Sequence, residues 1–165
     1  MLTIRPATAP DVPLILEFIR ELAEYERDPQ AAVATKADLL RDGFGPAPKF
    51  RVDIAEWSGE PAGFAFYFWN YSTWQGRPGL YLEDLFVRSR FRGKGIGKAL
   101  LVHLARVAIK NNCGRLVWQV LDWNTPAIEF YEALGARTMK EWLTMRVTDE
   151  ALVRLATEKT SSAAD

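Results

Sequence analysis

Two adjacent stretches hold the residue types from which chemistry can be built. Glu83 and Asp84 sit inside an otherwise apolar run, Leu80 to Val87, and just beyond it comes Arg90-Phe91-Arg92-Gly93-Lys94-Gly95-Ile96-Gly97-Lys98. An unpaired carboxylate costs free energy when buried in an apolar strand, so at least one of the two acids needs a functional or hydrogen-bonding partner. Strand alternation predicts that their side chains point to opposite faces. The basic, glycine-rich segment runs from a strand into a helix. The first backbone N–H groups of a helix have no intrahelical acceptor and carry the positive end of its dipole, so they bind phosphate. Glycine lets the main chain come close to an anion, and Arg92, Lys94 and Lys98 add charge. A plain strand-to-helix turn is the competing reading. Two nucleotide motifs are excluded by spacing. A G-x-G-x-x-G fingerprint begun at Gly93 ends on Lys98, and begun at Gly95 it ends on Leu100. A P-loop would need glycine and Ser or Thr where Arg92 and Ala99 stand.

Histidine and cysteine chemistry is scarce. His103 is the only histidine and falls in the middle of an apolar-periodic helix, so it reads as a packing or helix-surface residue. Zinc sites built on histidine pairs and Ser-His or Cys-His machinery have almost nothing to work with, and no metal is expected. General acid and base work therefore falls to Glu, Asp, Tyr or water. Tyr131 is one such group, although an aromatic residue at such a helix position is more often part of a core.

The elements that must carry these residues follow from periodicity and turn signals. Leu2 to Arg5 reads as a short strand. Thr8 and Asp11 resemble a capping box ahead of a helix bearing Leu14, Ile15, Phe18, Ile19 and Leu22. A short helix spans about 36–41, and strands at 50–56 and 62–71 meet at Ser58-Gly59. Residues 72–79 read as a loop, 80–87 as a strand and 97–109 as a helix. A strand at 115–121 precedes a helix from Thr125 to Leu134, with Pro126 at its start and Gly135 at its end. Residues 138–147 read as a strand, and Asp149 is expected to cap a last helix to about Thr157. This order predicts an α/β chain with a mixed sheet and helices on both faces.

A length of 165 residues suits a single domain, expected over 1–157, with a frayed polar tail at 158–165. Lys plus Arg and Asp plus Glu number 21 each. That balance argues against nucleic acid as a partner, because such proteins present a strongly basic face. No apolar run of about 18 residues occurs, so no membrane partner is expected. The lone Cys113 and the absence of an apolar leader favour a reducing, cytoplasmic setting.

The pattern Arg92-x-x-Gly95-x-Gly97 after an apolar strand resembles the pyrophosphate loop of the GNAT superfamily of N-acetyltransferases. The resemblance extends, within it, to the diamine acetyltransferase family that includes spermidine/spermine acetyltransferases. It is carried by Ile4-Arg5-Pro6-Ala7-Thr8, Glu21-Leu22-Ala23-Glu24-Tyr25-Glu26, Asp42-Gly43-Phe44-Gly45, Tyr81-Leu82-Glu83-Asp84, Trp123-Asn124, Phe130-Tyr131 and Gly135-Ala136, in collinear order from Ile4 to about Ala156. It implies the GNAT fold and acetyl-CoA as cosubstrate. Arg92, Gly93, Lys94, Gly95, Ile96, Gly97 and Lys98 would hold the pyrophosphate, and the backbone of Leu85, Phe86 and Val87 would pair with the pantetheine arm. Asn124, with Thr125, Pro126 and Ala127 behind it, would contact that arm. Tyr131 would face the coenzyme sulfur as proton donor. Glu83 would reach the substrate amine, as an anchor or as a base through water, while Tyr25, Glu26, Trp74 and Gln119 would line the substrate mouth. A homodimer is also implied.

One departure bears on the acceptor. Polyamine acetyltransferases carry an acid two residues before the loop tryptophan, where this chain has Ser72. Tyr71-Ser72-Thr73-Trp74 and Leu121-Asp122-Trp123-Asn124 are more similar to the thialysine acetyltransferase branch, with Arg77 a possible holder of a substrate carboxylate. The expected reaction is acetyl transfer to a primary amine of a small molecule, either a thialysine- or lysine-like amino acid or a diamine or polyamine. A protein or peptide amine acetyltransferase and a catalytically idle acyl-CoA-binding module are the alternatives.

Overall fold

The computed structural model describes residues 1–158, so apart from Glu158 the expected tail lies outside the described residues. The chain divides into two compact units, Met1–Leu121 and a second from Asp122 onward.

The first unit is built on a five-stranded mixed sheet in the order β1-β2-β3-β4-β5. Strands β1 (Leu2–Pro6), β2 (Arg51–Trp57), β3 (Glu60–Ser72) and β4 (Arg77–Val87) form an antiparallel meander, and β5 (Leu116–Trp118) joins β4 in parallel. Helix α1 (Val12–Tyr25) follows β1, with α2 (Lys36–Gly43) after it, and α3 (Ile96–Lys110) connects β4 to β5. The parallel pair needs such a crossover, and α3 provides it. Before α1, Asp11 accepts from the Thr8 backbone N–H at 2.8 Å and from both Arg5 terminal nitrogens at 2.9 Å, so the expected cap forms and is tied to β1.

Strand alternation sorts the two faces. Val52, Ile54, Phe64 and Phe86 pack with Ile15, Phe18 and Leu39 of α1 and α2 in one core. Phe18 stacks on Phe64 with centroids 5.1 Å apart and meets Phe86 edge-on at 6.4 Å. The intervening Asp53 turns to the other face, where it is buried and takes bonds from Tyr67 Oη at 3.1 Å and His103 Nε2 of α3 at 2.9 Å. Helices thus cover both faces. His103 is a structural partner, which is also what keeps the buried carboxylate satisfied.

Four features differ from the expected ones. The loop at 72–79 shrinks to a tight turn over 73–76, because Pro78 and Gly79 continue β4 against Tyr71 and Asn70. Strand β5 is only three residues long. In the second unit, α4 (Thr125–Ala133) and α5 (Asp149–Thr157) form as expected, but 138–147 makes no strand. A strand exists only by pairing, and the apolar pattern of this stretch finds no ladder partner among the described residues. Thr148, rather than Asp149, is the residue that precedes α5 as its N-cap.

Candidate active site

The decisive local feature lies in β4. Phe66 of β3 pairs with Asp84 and the next residue, Tyr67, pairs with Leu82, which leaves Glu83 as one extra residue on β4. This is a β-bulge, and it resets the pleat. Leu80 and Leu82 are fully buried before it, while Asp84 and Phe86 follow in the register of Phe66 and Phe64 after it. Glu83 and Asp84 consequently line the same cavity, against the expectation from simple alternation that they part to opposite faces. The cavity, about 750 Å³, is walled by Ile19, Leu39, Phe50, Phe66 and Phe68 and by the stretch Ala31–Ala34, with Asp38 and Lys49 as its other charged residues.

Placing two acids in an apolar cavity has an electrostatic consequence. Burial, followed by the charges of Glu83 and Glu26, pushes the Asp84 carboxyl up from 3.8 to about 7. Glu26, just past the end of α1, is itself raised by partial shielding from water. The structure therefore brings Glu26 into the same acidic group as Glu83 and Asp84. Between about pH 4 and 7 the folded chain keeps a proton on Asp84 that the unfolded chain releases, so this group's contribution to stability declines as pH rises. Replacing Asp84 by Asn should leave a protein whose melting temperature gains on the wild type as pH is raised from 4 to 8. Melting curves for both proteins across that range test this. A difference between them that does not change with pH would mean that Asp84 ionises as an exposed acid does.

The glycine-rich turn follows directly. Arg88, at the exit of β4, donates to Glu21 at 2.7 Å, pairs with Glu17 at 2.9 Å and lies over the Phe18 ring, which clamps the strand end to α1. Gly93 and Gly95 have φ of 76° and 78°, in the left-handed region that L side chains avoid. A Cβ on either would meet nothing within 4 Å, so their side facing away from the backbone is open. Ala99 makes the first helical bond, to Gly95 O at 3.0 Å, and the N–H groups of Ile96, Gly97 and Lys98 precede that ladder. An open glycine cradle with three leading N–H groups at a 15-residue helix fits a phosphate. Arg92 folds back over the Tyr25 ring at 4.5 Å and donates to Val87 O at 3.0 Å, and Lys94 lies 5.3 Å from the Trp57 ring.

Between the acids and this turn, Leu85, Phe86 and Val87 pair with β3 on one side only. Strand β5 meets β4 at Leu80, Tyr81 and Leu82 and goes no further, so among the described strands none flanks the other edge. That edge has the backbone groups with which an extended arm can pair.

Not every expected mouth residue joins the cavity. Tyr25 stands at the end of α1 beneath Arg92. Trp74 lies in the β3–β4 turn, 88% exposed, and Glu83 comes six positions after Arg77 along β4, or roughly 20 Å of strand. Gln119 is exposed just past β5. Neither lines the cavity. Arg77 donates to Asn112 O at 3.2 Å and Asn112 Oδ1 at 2.9 Å. Ser72 is buried and its hydroxyl accepts from the Gln75 N–H at 3.2 Å, closing the turn.

In the second unit Asn124 precedes α4, and its carbonyl accepts from Ala127 and Ile128 at 3.1 Å. Thr125, Pro126 and Ala127 form the first turn. Tyr131 lies seven residues from Asn124, two turns or about 10 Å along the same helical face. Among the described residues no cluster of His, Cys, Asp or Glu could hold a metal, and no helix is long and apolar enough to cross a membrane.

Known proteins similar to this chain agree with one another. The profile described as the acetyltransferase (GNAT) family matches residues 15–136. The chain is 40% identical to a thialysine N-epsilon-acetyltransferase of Bos taurus over 93% of its own length and 96% of that protein. It is 34% identical to an L-ornithine N5-acetyltransferase of Arabidopsis thaliana, covering 90% of this chain and 85% of that one. Among solved structures, an integron cassette protein from the mobile metagenome of V. cholerae superposes with a TM-score of 0.81 at 30% identity, covering 95% of this chain and 98% of the other.

Proposed function

The chain belongs to the acetyltransferase (GNAT) family, and from that premise we propose that it transfers acetyl from acetyl-CoA to a primary amine of a small molecule. The acceptor in this reading is a lysine-, thialysine- or ornithine-like amino acid, or a diamine or polyamine. The similarity to enzymes named for thialysine and ornithine supports that class. The observation that carries the reading is the β4 bulge, which turns Glu83 and Asp84 into one cavity at the foot of the strand that leads to the phosphate cradle.

Bound there, the coenzyme supplies an acetyl thioester whose carbonyl carbon bonds to the amine nitrogen as the C–S bond breaks. Gly93, Gly95 and the N–H groups of Ile96, Gly97 and Lys98 hold its phosphates. The open edge of Leu85 to Val87 pairs with the pantetheine arm, and an N–H there polarises the thioester carbonyl. By the family resemblance, Asn124 and the first turn of α4 contact the arm as well. An amine with a pKa of about 10.4 arrives as ammonium and is not a nucleophile. Glu83 anchors the ammonium or, through a water, takes its proton, and the neighbouring Asp84 and Glu26 hold the positive charge until it leaves. Tyr131 gives its proton to the departing sulfur, and the second proton that the nitrogen sheds as the amide forms restores the phenol.

A homodimer and a cytoplasmic setting complete the reading. Trp142, Leu143 and Met145 expose apolar surface in the second unit that a partner copy would cover, and the single buried thiol of Cys113 suits a reducing compartment.

The test is a screen of thialysine, lysine, putrescine, spermidine and a basic peptide, following release of free coenzyme thiol. Small amines are expected to turn over well ahead of the peptide. Turnover of the peptide alone would make the chain a protein acetyltransferase. Coenzyme binding without thiol release on any acceptor would make it an idle binding module.

A further inference from the structure

We infer that Lys49 selects the acceptor, receiving a carboxylate at the far end of an amino acid whose terminal amine is held by Glu83 and Asp84. The inference rests on the small-amine reading and narrows it to α,ω-diamino acids over diamines and polyamines.

The cavity is bipolar. Glu83 and Asp84 form one charged wall, and Lys49, in the link between α2 and β2, also lines the cavity, with a long, exposed side chain whose ammonium can turn to the same space. What separates them is apolar. Phe66 is the cross-strand partner of Asp84, and the ring of Phe50, the residue after Lys49, stacks on Phe66 with centroids 4.1 Å apart. Two aromatic faces therefore lead from the acids to the residue beside the lysine. Such a path suits a short methylene or thioether spacer, with a cation at one end and an anion at the other.

The alternative occupant, a longer polycation, needs a second anion at the distal end. Asp38 is the remaining carboxylate on the cavity wall, and it is already engaged. It accepts from the Thr35 N–H at 2.9 Å, the Thr35 hydroxyl at 2.6 Å and Arg41 at 3.1 Å. Lys49 is held more loosely. Its backbone N–H donates to Asp42 O at 2.7 Å, fixing the main chain. Its ammonium reaches only Asp42 Oδ1, at 3.3 Å, and both oxygens of that carboxylate already take closer bonds from Arg41, at 3.2 and 2.7 Å. The side chain is 75% exposed, so a substrate carboxylate can replace this contact with little cost in packing.

Two matched pairs isolate the carboxylate: lysine against cadaverine, and ornithine against putrescine. Each pair differs only by that group. Wild type is expected to favour the amino acid in both. Lys49→Met should lower the amino-acid-to-diamine ratio of kcat/KM by about tenfold, through KM for the amino acid, as expected for one lost charge-assisted bond. Lys49→Glu should invert the preference. A ratio that stays within twofold of wild type in both variants overturns the role of Lys49 while leaving the small-amine reading intact. A wild-type protein that acetylates none of the four compounds, and neither thialysine nor spermidine, removes the small-amine reading and this inference together. Melting temperatures of the variants, expected near wild type at so exposed a site, separate a selective effect from misfolding.

Discussion

A Tyr131→Phe protein should bind acetyl-CoA as wild type does and turn over roughly 10²- to 10⁴-fold more slowly, the range that a positioned general acid supplies. The substitution removes one hydroxyl and keeps the ring, which lies 5.3 Å from that of Phe130, so the packing of α4 is retained. A thiolate leaving without a proton is the costly event, and a phenol hydroxyl placed at the sulfur can supply that proton. The helix geometry gives the comparison its force. Asn124 and Tyr131 share a face two turns apart, so a coenzyme arm that meets the first passes toward the second. The measurement is kcat in steady state together with acetyl-CoA affinity by titration. Unchanged kcat would take Tyr131 out of the chemistry, and a parallel loss of affinity would make it a binding residue.

Gly95→Trp should raise KM for acetyl-CoA on the order of 100-fold, the size of one or two lost charge-assisted hydrogen bonds. Two effects add. The backbone at φ 78° is strained by any L side chain, at about 1–2 kcal/mol, and the indole fills the open side of the cradle. Gly76→Trp separates them. Gly76 also has a positive φ, 62°, and open space above it, but it lies in the β3–β4 turn. Both variants should lose similar stability, and only Gly95→Trp should lose the coenzyme. Equal acetyl-CoA KM values in the two would assign the glycines of the turn to folding alone.

The contrast between what was legible and what was not follows sequence separation. The glycine turn is local: Gly93, Gly95 and the start of α3 lie within one turn, and spacing alone excludes the rival nucleotide motifs. The first cap, the five helices and the mixed sheet were likewise readable, because each is announced by periodicity or by a residue with a fixed backbone preference. The bulge was not. A one-residue slip in pairing leaves the apolar pattern of Leu80 to Val87 intact, and only the partner strand reveals that Glu83 is surplus. Alternation therefore separated two acids that share a cavity, and Asp84 was passed over. Lys49 stayed hidden for a similar reason. Nothing near it in the chain marks a site, and its meaning comes from Phe50 stacking on Phe66 and from Asp84 across the strand. The stretch 138–147 erred in the opposite direction, since an apolar pattern proposes a strand and only a neighbour can make one.

The bulge also means that the two halves of β4 answer to different constraints. Ahead of Glu83 the strand is bound to the interior through Leu80 and Leu82, and beyond it the strand carries Asp84 toward the cavity and Val87 toward the cradle. What joins them is a count of residues rather than the identity of any one. Deleting a single residue there would leave every side chain type of the site in the chain, and would turn the acid pair out of common register. Substitutions can tune the chemistry of this strand, whereas a change of length erases its address.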